Sequence, residues 1–178
     1  MVKIYDQTGK LLWSKNMTTN PLAELGTNVT YNAKLDIPIP PDANINIYPD
    51  KYNYRSGEKG RVTIDVDNGG VTIGYTSYYL LIPPGVSYNS VLDGPEPYGV
   101  VNLDDDECWI VPEYGIVCGP GTLLLWQAVH LSGYKKQVVV SVTYNNPGQF
   151  KFEAGDAVVD VIIGWGDSSS DSFTVTVS

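Results

Sequence analysis

Basic residues are scarce in this 178-residue chain, where 11 lysines and arginines face 20 acidic residues and leave a net charge of −9. Because surplus negative charge repels phosphate groups, nucleic acid and anionic membrane surfaces are poor partners. Long apolar runs are also missing, and none approaches the roughly 20 residues of a membrane helix, so no membrane insertion is expected. Residues 1–16 alternate and lack the apolar stretch of about 7–15 residues in a secretory signal. The chain is therefore either made without such a signal or is a piece of a longer precursor.

Histidine occurs once, as His130 in the segment LLLWQAVHLSG. On an alternating strand, His130 shares a face with three apolar side chains, those of Leu124, Trp126 and Ala128. Apolar neighbours on the same face favour a packed or interface histidine over a catalytic one. No GxSxG nucleophile motif precedes it, and a His–Cys dyad would need a cysteine that has another predicted role. The sequence therefore predicts a protein that is not an enzyme.

Cysteine occurs twice, at Cys108 and Cys118, on either side of the segment WIVPEYGIV. The segment is typical of a strand, a Pro-Glu-Tyr-Gly turn and a second strand, so a disulfide across a hairpin is predicted. Two free thiols are the alternative, and a metal site is disfavoured because the chain has no CxxC motif and one histidine. A disulfide indicates an oxidising environment, or a thermophile, in which intracellular disulfides also occur.

A sustained helical period is absent, whereas short alternating segments separated by Gly, Pro, Asn and Asp recur along the chain. In RVTIDVD, alternation points three apolar side chains to one side: Val62, Ile64 and Val66. In DSFTVTVS it points three more inward: Phe173, Val175 and Val177. One buried face and one wet face are typical of antiparallel sheets, so the pattern predicts an all-β sandwich or barrel.

The proline-dense segment IPIPPD, at residues 37–42, separates an N-terminal arm from the rest of the chain, because proline is excluded from the interior of a sheet. We predict an arm and linker over residues 1–40 and a sandwich domain over residues 41–178. Within the arm, VKIY and KLLWSK flank the turn-rich DQTG, which predicts a hairpin. The arm either completes the sandwich or pairs with a neighbouring subunit by strand addition. It also holds two N-glycosylation sequons, at Asn16 and Asn28.

Four acidic residues follow one another in the chain: Asp104, Asp105, Asp106 and Glu107. Like charges this close repel each other, and hard oxygen donors suit Ca²⁺, so one hypothesis is a calcium site. The run lacks the alternation and the glycine of an EF-hand loop, and the alternative is a solvated acidic loop. A glycosidase pair is poorly supported, because it needs two acids facing each other across a cleft. Apart from Ca²⁺, no cofactor is expected.

Tyrosine is abundant, with 13 residues, and four of them lie in the stretch DNGGVTIGYTSYYLLIPPGVSY: Tyr75, Tyr78, Tyr79 and Tyr88. Because Tyr78 and Tyr79 are adjacent, a strand sends them to opposite faces, and we expect one to pack and the other to reach the surface. An exposed tyrosine here is either structural, part of a subunit interface or a glycan-stacking ring. In the same stretch, Asn68-Gly69 is a strong hairpin-turn dipeptide.

The order of three motifs resembles the Ig-like conserved-repeat domain of prokaryotic cell-surface and S-layer-type proteins. The motifs are VTIDVDNGG, YLLIPPGVSY and HLSGYKKQVVVSVTY, and the resemblance spans residues 45–177. This sequence departs from the family in its tyrosine-rich strand, in its acidic insertion with two cysteines, and in Ser132, which replaces the usual proline before Gly133. Residues 1–40 have no counterpart. The resemblance implies an Ig-like β-sandwich in a structural, non-catalytic module, and it transfers no functional residues.

Together these observations predict a non-catalytic structural subunit of an extracellular or virion-surface assembly, such as a surface layer, a filament or a capsid or spike component. Such a subunit is expected to assemble through β-strand and edge contacts with copies of itself or with other structural subunits. The alternative is a carbohydrate-binding or adhesion module that uses exposed tyrosines, with or without Ca²⁺.

Overall fold

The computed structural model describes residues 2–5, 11–15, 40–70, 73–162 and 164–178. The chain divides into two compact units, Met1–Asp36 and Ile37–Ser178. In the first unit, β1 (Val2–Tyr5) pairs antiparallel with β2 (Leu11–Lys15), which confirms the predicted hairpin. The sequons at Asn16 and Asn28 lie outside the described residues, and the boundary at residue 40 stays a prediction.

The described part of the second unit contains two large β-sheets and one separate two-stranded sheet. Its described residues form the strands β3 (Ile45–Pro49), β4 (Asn53–Tyr54), β5 (Lys59–Asn68), β6 (Ile73–Ile82), β7 (Val86–Asp93), β8 (Gly99–Leu103), β9 (Cys108–Val111), β10 (Gly115–Cys118), β11 (Gly121–Leu131), β12 (Tyr134–Tyr144), β13 (Gly148–Asp160) and β14 (Gly166–Val177). One large sheet has the order β3-β5-β12-β7 and the other β4-β14-β13-β6-β11-β8. Neighbouring strands run antiparallel, apart from the parallel pair β14 and β4. In the part of the chain that is described, no helix is long and apolar enough to cross a membrane.

The main core lies between the facing sides of the two sheets. On β5 and β14, the side chains that alternation points inward are all buried: Val62, Ile64, Val66, Phe173, Val175 and Val177. Phe152 of β13 stacks on Phe173, with ring centroids 4.8 Å apart. Large stacked rings of this kind contribute both buried apolar area and a favourable ring geometry. The prediction of an antiparallel all-β sandwich is therefore confirmed.

Asn68 and Gly69 do not form the predicted hairpin turn. β5 pairs with β3 and β12, whereas β6 pairs with β11 and β13, so the chain crosses from one sheet to the other after Asn68. The Asn68 side chain is 2% exposed, and it accepts from the Asn44 N–H at 3.0 Å and donates to Thr76 Oγ1 at 3.2 Å. The dipeptide thus lies at a crossover between the sheets, where the Asn68 side chain satisfies buried polar groups. The predicted turn does not form because strand pairing, and not local turn preference, decides which strands become neighbours.

A third layer, the hairpin of β9 and β10, covers part of the outer face of the six-stranded sheet. Its inward side chains, Val111 and Val117, pack on apolar side chains of that face: Tyr79, Leu81, Leu103, Leu123 and Leu125. At the hairpin turn, the ring of Tyr114 lies against Gly155 of β13, where a Cβ atom would approach the ring to 2.5 Å. The glycine therefore makes room for the ring that anchors the hairpin turn.

Candidate interaction surfaces

His130 is a packed side chain. Its Nε2 lies 2.9 Å from Thr76 Oγ1, and its ring centroid is 5.2 Å from that of Tyr134. Burial lowers the pKa of His130, because desolvation disfavours the charged imidazolium. Since both cysteines of the chain are joined in a disulfide, neither is free to form a dyad with this histidine.

Cys108 and Cys118 lie opposite each other at the ends of β9 and β10 and form the disulfide that the hairpin pattern predicts. Closing a loop this short stabilises the folded chain by about 2–3 kcal/mol. The bond ties the hairpin at its base, and Tyr114 anchors it at its turn. The hairpin is therefore fixed at both ends over the six-stranded sheet.

The acidic run forms a tight turn at the end of β8. The Asp104 N–H donates to Glu107 Oε2 at 3.0 Å, and the Glu107 N–H donates to the Asp104 carbonyl at 3.1 Å. All four acidic residues are exposed. Across residues 40–70, 73–162 and 164–178, no three His, Cys, Asp or Glu side chains are grouped so that they could hold a metal ion. The Ca²⁺ site stays a hypothesis that rests on the sequence.

The four candidate tyrosines occupy different environments. Tyr78 is buried between the sheets, with its ring stacked 5.3 Å from that of Trp126, and Tyr79 is 5% exposed beneath the β9–β10 hairpin. The expectation that one of this pair reaches the surface is wrong, because the hairpin covers the outer face at that position. Tyr88 is half-buried against the core, and Tyr75 is half-buried on the outer face of β6.

Asp156 of β13 is a buried carboxyl outside the predicted sites. It is 0% exposed, and its Oδ1 accepts a hydrogen bond from Ser169 Oγ at 2.5 Å. Burial raises the pKa of Asp156, because desolvation disfavours the carboxylate. The sequence does carry a signal for it: in FKFEAGDAVVD, alternation places Asp156 on the same face as Phe152 and Ala154.

One edge of the four-stranded sheet is closed by side chains of β14. Three backbone N–H groups along the β3 edge donate to them: Ala43 to Asp167 Oδ2 at 3.0 Å, Ile45 to Ser169 Oγ at 2.8 Å, and Ile47 to Asp171 Oδ2 at 2.8 Å. The three acceptors continue the inward phase of Phe173 and Val175 along the same strand. They occupy the donors that an added strand would need, and we call this set of contacts the β3 seam.

Replacing Asp171 by alanine should lower the free energy of unfolding by about 1 kcal/mol, because the Ile47 N–H loses its acceptor. Thermal unfolding and amide hydrogen exchange at Ile47 measure the effect. Asp105→Ala, which removes one negative charge from an exposed position, is the control. An Ile47 amide that exchanges at the same rate in Asp171→Ala and in the parent would contradict the role of the seam.

The remaining sheet edges are protected unequally. β4 has two residues, and the pairing of β7 with β12 is interrupted by two register shifts. β8 instead pairs regularly with β11 over five residues, and no strand in the described part of the chain pairs with its other side. Short or bulged edges resist the addition of further strands, whereas a regular edge accepts them. β8 is therefore a regular edge that has no second partner strand in the described part of the chain.

No protein-family model matches the chain, and no curated protein matches its sequence. Among solved structures, a cohesin module from a Clostridium perfringens family 33 glycoside hydrolase is similar, with a TM-score of 0.50 and 13% identity over 76% of this chain and 96% of the module. The full-length major pilin SpaD from Corynebacterium diphtheriae has a TM-score of 0.51 and 9% identity over 76% of this chain. The chain covers 35% of that pilin, about a third of its length.

The sandwich is Ig-like. This confirms the predicted fold class, an antiparallel Ig-like β-sandwich with an N-terminal β arm. At 9% and 13% identity the two similarities establish the fold alone. Function must therefore be argued from the surfaces of this chain, and above all from its edges.

Proposed function

We propose that this chain is a non-catalytic structural module of a surface assembly, in which residues 1–36 of one copy add to the β8 edge of the next. The observation that carries the proposal is the unequal protection of the sheet edges. The β3 edge is capped by side chains, β7 is bulged and β4 is short, whereas β8 is regular and open. A regular open edge binds an extended segment through its backbone groups.

The charges beside β8 favour a basic partner strand. β8 leads directly into the acidic turn, whose four acidic residues are exposed. Residues 1–15, which include β1 and β2, instead carry three lysines against one acid: Lys3, Lys10 and Lys15 against Asp6. Opposite charges accelerate association and disfavour wrong partners. The basic segment of residues 1–15 in a second copy therefore matches the electrostatics of the edge.

Deleting residues 1–36 should abolish ordered assembly and leave the sandwich folded. Size-exclusion chromatography with light scattering and negative-stain microscopy measure assembly, and circular dichroism measures the fold. A truncated protein that still forms ordered particles or filaments would show that the arm is not the donor.

Substitutions on the edges test the acceptor. Val100→Lys on β8 should stop assembly, because a lysine on an open edge opposes strand addition. Leu92→Lys on β7 is the matched control, since Leu92 and Val100 are 53% and 50% exposed. Equal loss of assembly in both variants would point away from β8.

We propose a cell-surface or virion-surface location for this module, as part of a surface layer, a filament or a capsid or spike. The Cys108–Cys118 disulfide supports an oxidising environment. The similarity in fold to a pilin and a cohesin module is compatible with a surface role. Thiol labelling of the protein isolated from its native source, with and without prior reduction, tests it, and free thiols before reduction would argue against it.

A carbohydrate-binding or adhesion role is the second candidate, and one cleft favours it. The cleft measures about 340 Å³ and lies between the hairpin turn and strands β13 and β14, with Tyr114, Lys151, Glu153, Asp171 and two serines in its wall. Tyrosine rings combined with carboxylates and hydroxyls suit a polyhydroxylated ligand. A glycan array with and without EDTA decides the question: binding that EDTA abolishes would support the Ca²⁺ hypothesis, and no binding in either condition removes this candidate.

A further inference from the structure

A cluster of polar side chains lies in the interior between the two sheets. Asn68 at the end of β5, Thr76 of β6 and Asp156 of β13 are buried, and His130 of β11 is half-buried beside them. On β6, β11 and β13 these positions continue the inward phase of Tyr78, Trp126 and Phe152. Polar groups in an interior cost free energy unless they bond to one another. The chemistry of the cluster therefore depends on how its members are paired.

The Thr76 hydroxyl is held between an amide and an imidazole. Asn68 Nδ2 donates to Thr76 Oγ1 at 3.2 Å, and His130 Nε2 lies 2.9 Å from the same oxygen. Because the amide nitrogen can only donate, the hydroxyl proton is free to point at the imidazole. Burial lowers the pKa of His130, which favours the neutral ring that accepts this proton. Thr76 is thus a hydroxyl paired with a base.

The Asn68 amide is held beside this hydroxyl in a fixed orientation. Its Oδ1 accepts from the Asn44 N–H at 3.0 Å, so its nitrogen is the end that meets Thr76 Oγ1. The carbonyl carbon is one bond from both of these atoms, and it is the electrophilic atom of the group. When a nucleophile attacks such a carbon, negative charge develops on the oxygen, and a backbone N–H already placed there stabilises it.

The carboxyl of Asp156 adjoins the same amide. Burial raises its pKa, so the folded chain keeps this carboxyl protonated to a higher pH than an exposed aspartate. A neutral neighbour does not repel the charge that develops on Oδ1 of Asn68. The site therefore contains a nucleophile, a base, an electrophile and a donor for the oxyanion, which together are the parts of an acyl transfer.

We propose that Thr76 and Asn68 become joined by an intramolecular ester bond, which the folded chain forms by itself. His130 Nε2 takes the hydroxyl proton as Thr76 Oγ1 attacks Cγ of Asn68. The bond between Oγ1 and Cγ forms, and the bond between Cγ and Nδ2 breaks. The imidazolium returns its proton to the departing nitrogen, which leaves as ammonia. One hydroxyl and one primary amide thus give one ester and one ammonia, and no further reactant is needed.

Burial of the pair favours this reaction. An amide is a weak electrophile, but groups held in a productive geometry react as if at effective concentrations of about 10⁵–10⁸ M. Asn68 and Thr76 are both buried, so water has little access either to compete with the hydroxyl or to hydrolyse the ester. Ammonia is small and dilutes into the solvent, which disfavours the reverse reaction.

The ester ties the two large sheets together at the crossover. Asn68 belongs to β5 of the four-stranded sheet, and Thr76 belongs to β6 of the six-stranded sheet. Apolar contacts between sheets separate when a chain is pulled or unfolded, whereas a covalent bond persists. Such a bond suits a structural module, but the inference concerns the single folded chain and does not depend on the arm or on assembly.

Intact-mass spectrometry of the full-length protein tests the bond, with Thr76→Val and Thr76→Ser as variants. The parent should be lighter by about 17 Da, the mass of one ammonia, than its sequence with the disulfide formed. Thr76→Ser, which restores a hydroxyl, should show the same loss, and Thr76→Val, which keeps the shape without the hydroxyl, should not. Circular dichroism checks that each variant folds. A parent of unchanged mass overturns the inference.

A loss of ammonia that persists in Thr76→Val also overturns it, because Asn68 would then have cyclised onto the backbone nitrogen of Gly69. Chymotryptic digestion of the denatured parent separates these two reactions without any variant. Cleavage after Tyr75 places Asn68 and Thr76 in different peptides, and the ester keeps them joined as one branched peptide. Dilute hydroxide, which hydrolyses esters faster than amides, should separate them. Unlinked peptides before this treatment contradict the ester.

The Thr122 and Asn102 pair is a matched control within the same molecule. Its hydroxyl donates to Asn102 Oδ1 at 3.0 Å in an exposed position, and the single histidine of the chain lies at the other site. This pair should stay unlinked. A link there as frequent as the one at Thr76 would show that neither burial nor the base matters, and it would overturn the mechanism.

His130→Gln tests the base. Loss of a general base should slow the linkage at least about tenfold, as measured by the linked fraction in samples taken from the start of expression. The same circular dichroism measurement checks the fold. Equal rates in His130→Gln and the parent would overturn the assignment of His130 as the base.

Discussion

Alanine in place of Gly155 is expected to free the ring of Tyr114 from the sheet and lower the free energy of unfolding by about 2–3 kcal/mol. A Cβ atom at this position would lie 2.5 Å from Cε2 and Cζ of Tyr114, well inside contact distance, so the ring must move. Moving it breaks the edge contact with Tyr79, whose ring centroid is 5.0 Å away, and uncovers apolar side chains beneath the hairpin. Alanine normally stabilises a strand relative to glycine by roughly 0.5–1 kcal/mol. A loss of stability in Gly155→Ala would therefore identify the clash between the added methyl group and the Tyr114 ring.

A double-mutant cycle with Tyr114→Ala isolates this contact. In the Tyr114→Ala background, Gly155→Ala should cost little, because the ring that it displaces is already gone. Gly69→Ala is the control, since a Cβ atom at Gly69 would meet nothing within 4 Å. Faster amide exchange in β9 and β10 of Gly155→Ala would locate the change in the hairpin. Additive effects of the two substitutions would show that the ring and the glycine are independent.

The strands of this fold are predictable because alternation is a local property. Val62, Ile64 and Val66 are buried, as the pattern RVTIDVD predicts. The β9–β10 hairpin is equally predictable from the sequence, because its two cysteines and its turn lie within a few residues of one another. Strand partners were not, since Asn68-Gly69 has the composition of a hairpin turn and yet joins different sheets. Which sheet a strand enters depends on contacts far away along the chain.

The surface residues were harder to predict than the strands. The exposure of Tyr79 depends on a hairpin some thirty residues later in the chain. Nothing in the sequence of β6 indicates that this hairpin covers Tyr79. The β3 seam carries a signal that alternation alone reveals, because Asp167, Ser169 and Asp171 share the phase of the buried side chains of β14. The exposure of Val129 and Leu131, each 73% exposed on β11, has no such signal, because both look like ordinary strand residues until the position of the hairpin is known.

Asp156 should make the sandwich less stable as pH rises, and Asp156→Asn should remove that dependence. Burial raises the pKa of Asp156 above the ordinary value of 3.8, and the nearby charge of Asp167 raises it further. The folded chain therefore holds this proton at pH values where the unfolded chain has lost it. Between the unfolded and the folded pKa, each rise in pH favours the unfolded chain, so stability is lost as pH rises through the folded pKa of Asp156.

The physical cause is a carboxylate with too few partners. Ser169 donates to Oδ1 of Asp156, and the Asn68 amide lies near enough to favour the charged form. Oδ2 nevertheless has no hydrogen-bond partner of good geometry among the described residues. Asparagine keeps the shape and the acceptor for Ser169, and it carries no charge to desolvate. At pH 8 it should stabilise the chain by about 1–3 kcal/mol, the range for a buried polar group left without a partner.

Thermal unfolding of the parent and of Asp156→Asn from pH 4 to pH 8 tests this prediction. The two melting temperatures should lie closest together at the acid end of this range and separate towards pH 8, with the variant higher, because the raised pKa of Asp156 keeps the folded carboxyl protonated to higher pH than the unfolded one. For a chain of this size, each 1 kcal/mol corresponds to roughly 2–4 °C. Asp105→Asn, at an exposed position of the acidic turn, controls for the loss of one negative charge. A gap between Asp156→Asn and the parent that stays constant across this pH range would mean that the carboxyl does not titrate as its burial requires.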